Sequence, residues 1–371
     1  MQTFCENNLK NFNTIVFTGG GTGGHVYPNL ALIPTFQERG YTCVYMGANG
    51  NTLEKRLAKM QNIPYYGVDA IKLVRSFSPS AIKNNLAIVR VLTRSINQAK
   101  RTLEKISPVC VFSKGGFVSL PVVLAARKLG IPTFAHESDL TLGLANKIAK
   151  SRGAHMLKAN PHSTFDGDFV GMPLRNQLFY TNKAQALKTL GINNPDNKKI
   201  LLVLGGSLGA SAINDAVKKC LDTLKAHYFI LHVTGKNKGK RIDEKNYKTF
   251  EYADDISLFY AAADAVLSRA GATGVFEISA LKKRAVFIPL PKGVSRGDQI
   301  FNGNLAKEYG GFVLEQNDLL CDNIPTAIEK ALQNPPMRPI ADDANGKIAD
   351  IVCATLRRGE KCKNKKPSQN G

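Results

Sequence analysis

Residues 19–25 read Gly19-Gly20-Gly21-Thr22-Gly23-Gly24-His25, and this glycine-rich stretch decides the fold. It follows the short apolar run Thr14–Phe17 and precedes a segment with a helical pattern, Tyr27–Arg39. A strand, a glycine loop and a helix in this order open an α/β unit, and the amino end of such a helix can hold an anion. The glycines also allow a sharp turn and a close approach of a ligand to backbone N–H groups.

Two other nucleotide-binding motifs fit the same loop less well. A dinucleotide site needs an acidic residue at the end of the second strand, roughly 20 residues further on. The predicted second strand, Thr42–Met46, ends in a stretch without an acid, and Glu54 comes too late. A P-loop needs a lysine after its last glycine, where this chain has His25. One imidazole is left at the exit of the loop, and it is either structural or directed at a ligand.

Length and composition are those of a protein with two domains. The chain has 371 residues, of which 43% are hydrophobic, enough for two ordinary cores. No apolar run approaches the roughly 18 residues of a membrane-spanning helix, and Met1–Asn13 lacks the apolar centre of a signal peptide. Seven cysteines are scattered without metal or disulfide spacing. This usage is typical of a reducing cytoplasm.

The formal net charge of +21 points to an anionic partner, which can be nucleic acid, a membrane or a phosphorylated substrate. Nucleic acid is not expected, because the sequence has no zinc spacing, RNP-like strand or basic-region heptads. Lys72–Lys105 holds eight basic residues and one acidic residue. It is either a helix that packs on its own sheet or a basic amphipathic surface for anionic lipid. Its apolar stripe is Ile82, Leu86, Val89, Thr93 and Ile96.

Short apolar segments alternate with helical patterns along the chain, which predicts parallel sheets with helices on both faces. The predicted strands of a first sheet are Thr14–Phe17, Thr42–Met46, Val109–Phe112, Thr133–His136 and Met156–Lys158. Those of a second sheet are Ile200–Leu204, Tyr228–Val233, Thr249–Glu251, Ala265–Ser268, Ala285–Pro289 and Phe312–Leu314. We predict two doubly wound Rossmann-like domains, 1–173 and 174–356, facing each other across a cleft. The basic end of the chain, 357–371, is expected to be a disordered tail.

Polar side chains follow several strands of the predicted first sheet. Because the ends of parallel strands meet at one edge, a single crevice is expected there. Its members would be His25, Lys114, His136, Glu137 and Asp139. Imidazoles and carboxylates together can perform acid–base chemistry. Each can equally cap a helix or satisfy backbone groups, and this structural role is the one expected for His136.

The second half has ligand loops of its own. Gly205-Gly206-Ser207-Leu208-Gly209-Ala210 precedes a predicted helix from Ser211. The turn Ser268-Arg269-Ala270-Gly271-Ala272 puts bare N–H groups and a positive helix end at a strand terminus, which suits a pyrophosphate. Glu277, one turn into that helix, would repel a phosphate and is expected to accept hydrogen bonds from sugar hydroxyls. In Ser295-Arg296-Gly297-Asp298-Gln299, the last two residues suit a hydroxyl-rich ligand or form a helix cap.

Six motifs occur in a fixed order over about Asn13–Leu356. They are Gly20-Gly21-Thr22-Gly23-Gly24-His25, His136-Glu137-Ser138-Asp139, Gly143-Leu144-Ala145-Asn146-Lys147, Gly205-Gly206-Ser207-Leu208-Gly209-Ala210, Ser268-Arg269-Ala270-Gly271-Ala272 and Ser295-Arg296-Gly297-Asp298-Gln299. Together they resemble the MurG family of GT-B glycosyltransferases. The resemblance implies an inverting transfer of GlcNAc from UDP-GlcNAc to the C4 hydroxyl of MurNAc in lipid I, which forms lipid II for peptidoglycan. It also implies a peripheral protein on the anionic cytoplasmic face of the cell membrane.

The same resemblance implies which residues bind substrate. Those near the donor or the acceptor pyrophosphate would be Thr22, Gly23, Gly24, Arg175 and Ser207. Those that cradle uracil and the α-phosphate would be Ala272, Thr273, Gly274, Val275 and Phe276. Those that contact sugar hydroxyls would be Glu277 on the ribose and Gln299, with Asn302 nearby, on GlcNAc.

The expected reaction is a direct displacement in which a base takes the C4 proton and UDP leaves. His25 is the first candidate for this base, with Asp139 and Glu137 behind it, because imidazole titrates near neutrality. No cofactor or metal is expected, because helix amino ends and Arg175 would stabilise the departing diphosphate.

The chain departs from its relatives at a few positions. Many of them read His-Glu-Gln-Asn where this chain has His136-Glu137-Ser138-Asp139, so the Asn that touches donor sugar is Asp139 here. Phe117 and Leu208 stand where relatives often have Tyr and Gln. Three alternatives remain: another UDP-sugar-dependent glycolipid glycosyltransferase of this fold, a UDP-GlcNAc epimerase, and a basic binding module without catalysis.

Overall fold

The computed structural model describes residues 13–70, 79–193, 196–206, 209–239, 241–292 and 297–363, the side chains of 79–89 and 359–363 excepted. These residues form two compact units. The first unit runs to Arg175 and takes up the chain again from Asp343, and the second is Asn176–Asp342.

The first unit is built on a seven-stranded sheet in which all neighbouring strands are parallel. Its strands are β1 (Thr14–Thr18), β2 (Thr42–Ala48), β3 (Tyr65–Val68), β4 (Cys110–Ser113), β5 (Thr133–Glu137), β6 (His155–Lys158) and β7 (Asp168–Phe169). Alternate residues of β1 enter opposite cores, with Ile15 and Phe17 on one face and Val16 on the other. Both faces are covered, which explains why this strand is continuously apolar.

Five helices between Gly23 and Ser151 accompany this sheet. They are α1 (Gly23–Glu38), α2 (Leu53–Met60), α3 (Pro79–Ile106), α4 (Ser119–Lys128) and α5 (Leu144–Ser151). The described side chains of α3 pack on its own sheet through Ala99, Leu103 and Ile106. Within the predicted apolar stripe, Thr93 is exposed, and the positions before residue 90 lie outside the described side chains. The carboxyl half of α3 therefore has the packing role.

The second unit repeats this plan. Its strands are β8 (Lys199–Leu204), β9 (Tyr228–Val233), β10 (Asp243–Glu244), β11 (Tyr247–Phe250), β12 (Ala265–Arg269), β13 (Arg284–Ile288) and β14 (Phe312–Val313). Its helices are α6 (Gln177–Tyr180), α7 (Lys183–Thr189), α8 (Ser211–Lys219), α9 (Leu221–His227), α10 (Ile256–Ala262), α11 (Ala272–Ala280), α12 (Asp298–Glu308) and α13 (Asn323–Gln333), with a 3₁₀ turn at Gln316–Asp318. Strand β10 pairs antiparallel with β11, and the other neighbours are parallel.

The last helix, α14 (Ala344–Lys363), belongs to the first unit. Ile348 and Val352 lie in the same core as β1. An Arg39–Asp350 ion pair of 2.7 Å ties α14 to α1, and the amide of Asn345 donates to the Leu174 carbonyl at 2.9 Å. The structure thus differs from the sequence-based division, which gave 344–356 to the second domain. The cause is the apolar face of α14, which is buried against the first sheet.

The structure also differs from the prediction of a disordered tail at 357–371, because α14 continues through Lys363. The remainder of that tail, 364–371, lies outside the described residues. The end of the first unit's main segment, Arg175, is two residues beyond the predicted boundary at 173.

Strand order defines the class of both units. The first sheet runs β3-β2-β1-β4-β5-β6-β7, and the second runs β10-β11-β9-β8-β12-β13-β14. Each contains the Rossmann order 3-2-1-4-5-6, which confirms the predicted fold class. Ligands of such sheets bind where the strand order reverses, beyond the carboxyl ends of β1 and β4 in one unit and of β8 and β12 in the other. Among the described residues, none of the helices combines the length and apolar character needed to cross a membrane.

Candidate active site

The first glycine loop connects β1 directly to α1. The helix begins at Gly23, four residues before its predicted start, with Thr22 extended at the N-cap. Gly21 has φ of +85°, and a methyl group there would lie 2.5 Å from the ring of Phe117. Both facts require glycine at this position. The amides of Gly23 and Gly24 therefore stand at the positive end of α1, where they can receive an anion.

His25 is contacted near its Nδ1 atom by two neighbouring loops. It is half-buried, and its Nδ1 lies 3.0 Å from Oγ1 of Thr22. A methyl group at Gly116, the second glycine after β4, would lie 3.1 Å from that same nitrogen. If Nδ1–H donates to the Thr22 hydroxyl, Nε2 is unprotonated and can accept a proton. The structure thus fixes the His25 ring between the first glycine loop and the loop that follows β4.

Lys114 follows β4, between the glycine loop after β1 and the turn after β5. Its backbone N–H donates to the Thr18 carbonyl at 2.9 Å. Its side chain is 2% exposed, and the ammonium group donates to Oγ of Ser138. Burial lowers the pKa of Lys114 to about 8, although the charges of Glu137 and Asp139 oppose the shift. The sequence placed Lys114 in the crevice but assigned it no task.

Glu137, one of the candidate bases, fixes the turn that follows β5 through hydrogen bonds. One carboxylate oxygen accepts from the amides of Ser138 at 2.9 Å and Asp139 at 3.2 Å. The other accepts from the amide of Gly143 at 2.9 Å and from Nδ2 of Asn146 at 3.0 Å. Four donors fill the acceptor capacity of a carboxylate. This arrangement favours an anchor of the loop over a proton acceptor, whereas Asp139 is half-buried at the tip of the turn.

His136 is fully buried and satisfies the backbone, the role expected for it. Its Nε2 lies 2.8 Å from the Gly171 carbonyl, so Nε2 carries the proton and donates. Its Nδ1 has no hydrogen-bond partner among the described residues. Burial and the charge of Lys114 hold the pKa of His136 well below its ordinary value. The ring is therefore neutral near pH 7.

Arg175 lies beside the first glycine loop. Its guanidinium carbon is 4.8 Å from the ring centroid of Tyr27, the fifth residue of α1. A methyl group at Gly23 would lie 3.1 Å from the same ring. The structure brings this predicted diphosphate ligand to the amino end of α1 within its own unit, where it adds a positive charge.

In the second unit, buried hydrogen bonds connect α8, which follows the loop after β8, with β9 and β11. Ser207, a predicted diphosphate ligand, and Leu208 lie outside the described residues. The neighbouring Asn214 donates to the Thr234 carbonyl at 2.9 Å. Nε2 of His232 lies 3.0 Å from Oδ1 of Asn214, and its Nδ1 lies 3.0 Å from the Tyr247 hydroxyl. A neutral His232 satisfies both partners.

This network predicts an acid-sensitive stability. Burial lowers the pKa of His232 to about 4, below the ordinary 6.5 that it regains on unfolding. The unfolded state therefore binds more protons between these values, and stability is lost as pH falls from 6.5 towards 4, by at most about 3 kcal/mol. Urea unfolding at pH 7 and 4.5 should show this loss in the wild type and less of it in His232→Gln. His227→Gln, at an exposed position, should behave like wild type; an unchanged loss in His232→Gln would contradict the assignment.

Glu277 is positioned by a residue that the sequence did not reveal. The glycine turn after β12 ends at Gly271, and α11 starts at Ala272. Oε2 of Glu277 accepts from the hydroxyl of Tyr260 at 3.1 Å, and both side chains are buried. Tyr260 is 17 positions away on α10, so no local motif could indicate it.

The other predicted nucleotide-binding residues, at the start of α11, fall into a half-buried group and a buried group. Ala272, Thr273 and Gly274 are half-buried at the start of α11, whereas Val275 and Phe276 are buried. The first three are therefore the more accessible of these residues at this helix end.

The predicted GlcNAc contacts lie on α12. Oε1 of Gln299 accepts from the amide of Leu290 at 3.1 Å, which leaves the Gln299 amide nitrogen as a donor for a sugar hydroxyl. Asn302 is only 2% exposed. The helix starts after Gly297, which has φ of +85°. The structure thus favours Gln299 over Asn302 as the residue that meets a ligand.

Family models match both units. Residues 15–157 match the glycosyltransferase family 28 N-terminal domain, and residues 200–352 match the family 28 C-terminal domain. Each match coincides with one Rossmann-like sheet and its ligand loops. Fold and site together define a two-domain glycosyltransferase of family 28.

Relatives narrow this class. A protein of Lachnospira eligens named UDP-N-acetylglucosamine–N-acetylmuramyl-(pentapeptide) pyrophosphoryl-undecaprenol N-acetylglucosamine transferase is 44% identical over 85% of this chain and 90% of its own length. A Clostridium perfringens protein of the same name is 39% identical over 91% and 97%. The crystal structure of Acinetobacter baumannii MurG matches with a TM-score of 0.67 at 25% identity, covering 92% of this chain and 99% of that one. The chain belongs to the MurG family.

Proposed function

We propose that this protein transfers GlcNAc from UDP-GlcNAc to the C4 hydroxyl of MurNAc in lipid I and so forms lipid II for peptidoglycan synthesis. The observation that carries the proposal is a sequence identity of 44% to a transferase named for these substrates, over nine-tenths of that transferase's length. The glycine loops of both units would supply the anion sites that such a donor and acceptor each need.

The first unit would bind the acceptor. The pyrophosphate of lipid I would lie at the amides of Gly23 and Gly24. Arg175, which the resemblance assigned to the departing diphosphate, lies in this unit beside Tyr27 and would add positive charge here. His25 would remove the C4 proton through Nε2 while the C4 oxygen bonds to C1 of GlcNAc. The bond from C1 to the diphosphate breaks as this bond forms, and inversion at C1 follows. The proton ends on His25, and UDP carries away the electron pair.

The second unit would bind the donor. The amino end of α11 offers bare amides to the diphosphate as negative charge develops on it. Glu277 would accept hydrogen bonds from the ribose diol, and Gln299 would donate to GlcNAc. Ser207, which lies outside the described residues, would add a further diphosphate contact.

The same proposal includes a peripheral place on the cytoplasmic face of the cell membrane. A net charge of +21 favours an anionic lipid surface, to which each nearby Lys or Arg contributes about 1 kcal/mol. No nucleic-acid partner is proposed, because the sequence contains none of the usual modules.

Transfer of labelled GlcNAc to a lipid I analogue tests the reaction. Product is expected only with UDP-GlcNAc and the analogue together, and UDP-GalNAc should react far more slowly. Release of UDP without acceptor would indicate an epimerase instead. Equal rates with both donors would indicate another glycolipid glycosyltransferase of the same fold.

Glu277→Ala should weaken binding of UDP by about 10- to 100-fold, since a hydrogen bond to a buried charge contributes roughly 1.5–3 kcal/mol. Calorimetry should show that wild type prefers UDP over 2′-deoxy-UDP, and that Glu277→Ala binds both alike. Glu329→Gln, on the exposed face of α13, is the matched control and should retain the preference. A preference that survives in Glu277→Ala would remove the ribose contact from the mechanism.

A further inference from the structure

Lys114 joins two loops that the proposed reaction uses. It follows β4 directly, and β4 lies between β1 and β5 in the sheet. The glycine loop with His25 leaves β1, and the turn with Ser138 and Asp139 leaves β5. A side chain at position 114 therefore stands between the two loops.

The stem of Lys114 is fixed on the β1 side. Its Cβ would be 3.2 Å from a methyl group at Gly19, and its amide is bonded to Thr18 at 2.9 Å. Two residues later, a methyl group at Gly116 would lie 2.6 Å from the Gly20 carbonyl and 3.1 Å from the imidazole of His25. The chain after β4 is thus packed tightly against the glycine loop.

The ammonium group is fixed on the β5 side. It donates to Oγ of Ser138, and the carboxylates of Glu137 and Asp139 attract it. The side chain is 2% exposed. Burying an ammonium group costs desolvation free energy, and an apolar side chain of the same size would often make the fold more stable. The stability of the fold therefore does not explain a lysine at this position.

We propose that Lys114 is a positioning residue, whose ammonium group holds the Ser138–Asp139 turn in place against the glycine loop that carries His25. Both Glu137 and Asp139 attract the ammonium group, but Glu137 is also held by four N–H donors, so the carboxylate whose position depends more on Lys114 is that of Asp139. This inference rests on the proposed transfer reaction.

A mutant cycle tests the coupling. Lys114→Met should lower kcat for transfer by about 10- to 100-fold, the equivalent of one hydrogen bond to a charged group. Calorimetric affinity for UDP should stay within about twofold, because the donor residues lie in the other unit. In an Asp139→Asn background the further loss from Lys114→Met should shrink to about threefold or less, because the carboxylate at the tip of the turn is gone and Glu137 stays fixed by its four N–H donors. Lys128→Met, at an exposed end of α4, is the control and should match wild type.

The pH profile gives a second reading. The titratable groups that face Lys114 are His136, Glu137 and Asp139 on the β5 side, while the β1 side presents uncharged Gly19. Because burial lowers the pKa of Lys114 to about 8, wild-type kcat/KM should fall above that pH. Lys114→Met should lack this fall. Equal losses from Lys114→Met in both backgrounds, or the same alkaline fall in wild type and variant, would overturn the proposal.

Hydrogen exchange separates this inference from the proposed function. Amides of 138–143 should exchange faster in Lys114→Met than in wild type, while those of the second unit stay unchanged. If wild type transfers no GlcNAc, the proposed function fails and the exchange experiment still decides the role of Lys114. If wild type is active and exchange of 138–143 is unaltered in the variant, the positioning role fails.

Discussion

His25→Ala is expected to transfer GlcNAc about 10²- to 10⁴-fold more slowly than wild type, the range that general-base catalysis contributes. The imidazole is oriented by Oγ1 of Thr22, 3.0 Å from Nδ1, and by close packing against Gly116. Neither contact involves the second unit, where the donor residues lie. Affinity for UDP should therefore be retained in the variant, while kcat falls.

Three measurements make this prediction specific. Single-turnover transfer gives the rate of the chemical step, calorimetry with UDP gives donor affinity, and the pH profile of kcat should lose its acid limb in the variant. His162→Ala, at an exposed position of the first unit, is the control and should match wild type. An equal loss of turnover and of UDP affinity would show that His25 serves binding, and a retained acid limb would move the base to Asp139.

Much of the fold was predictable because strands buried on both faces leave continuous apolar runs. Ile200–Leu204 and Tyr228–Val233 were predicted almost to the residue for this reason. The strand Tyr65–Val68 was missed, since it is four residues long and includes Gly67. The return of α14 to the first unit was missed because an apolar helix face does not indicate which sheet will bury it.

The candidate site was predictable only as far as it is local in sequence. Glycine loops and the residues after strands were found because parallel strands end at one edge. Partners brought together by packing were not, as with Tyr260 and Glu277. Glu54 is a second example: the sequence places it too late for the end of β2, yet the fold brings its carboxylate back to within 3.4 Å of the Ala48 amide. A methyl group at Gly20 would lie 2.7 Å from that carboxylate.

Glu137→Gln is expected to destabilise the first unit by about 3–5 kcal/mol, since it leaves two N–H donors facing a new NH₂ group and removes a buried charge from its partners. Wild-type Glu137 accepts all four of its bonds within the segment 138–146. The carboxamide retains one acceptor oxygen, so about half of these bonds are lost. For a domain of this size the melting temperature should fall by about 10 °C.

Thermal unfolding and the pH profile of transfer together separate the two roles of Glu137. An anchor predicts a lower melting temperature, faster exchange of the amides of Ser138, Asp139 and Gly143, and an acid limb of kcat that stays where it was. A general base predicts the reverse: nearly unchanged stability and loss of that limb. Glu104→Gln removes a half-exposed carboxylate that pairs with Lys100 at 3.5 Å, and it should change stability by less than about 0.5 kcal/mol. Because the anchored carboxylate shapes the turn that presents Asp139, a large loss of activity without loss of stability in Glu137→Gln would reverse the order of candidates and place Glu137 ahead of His25.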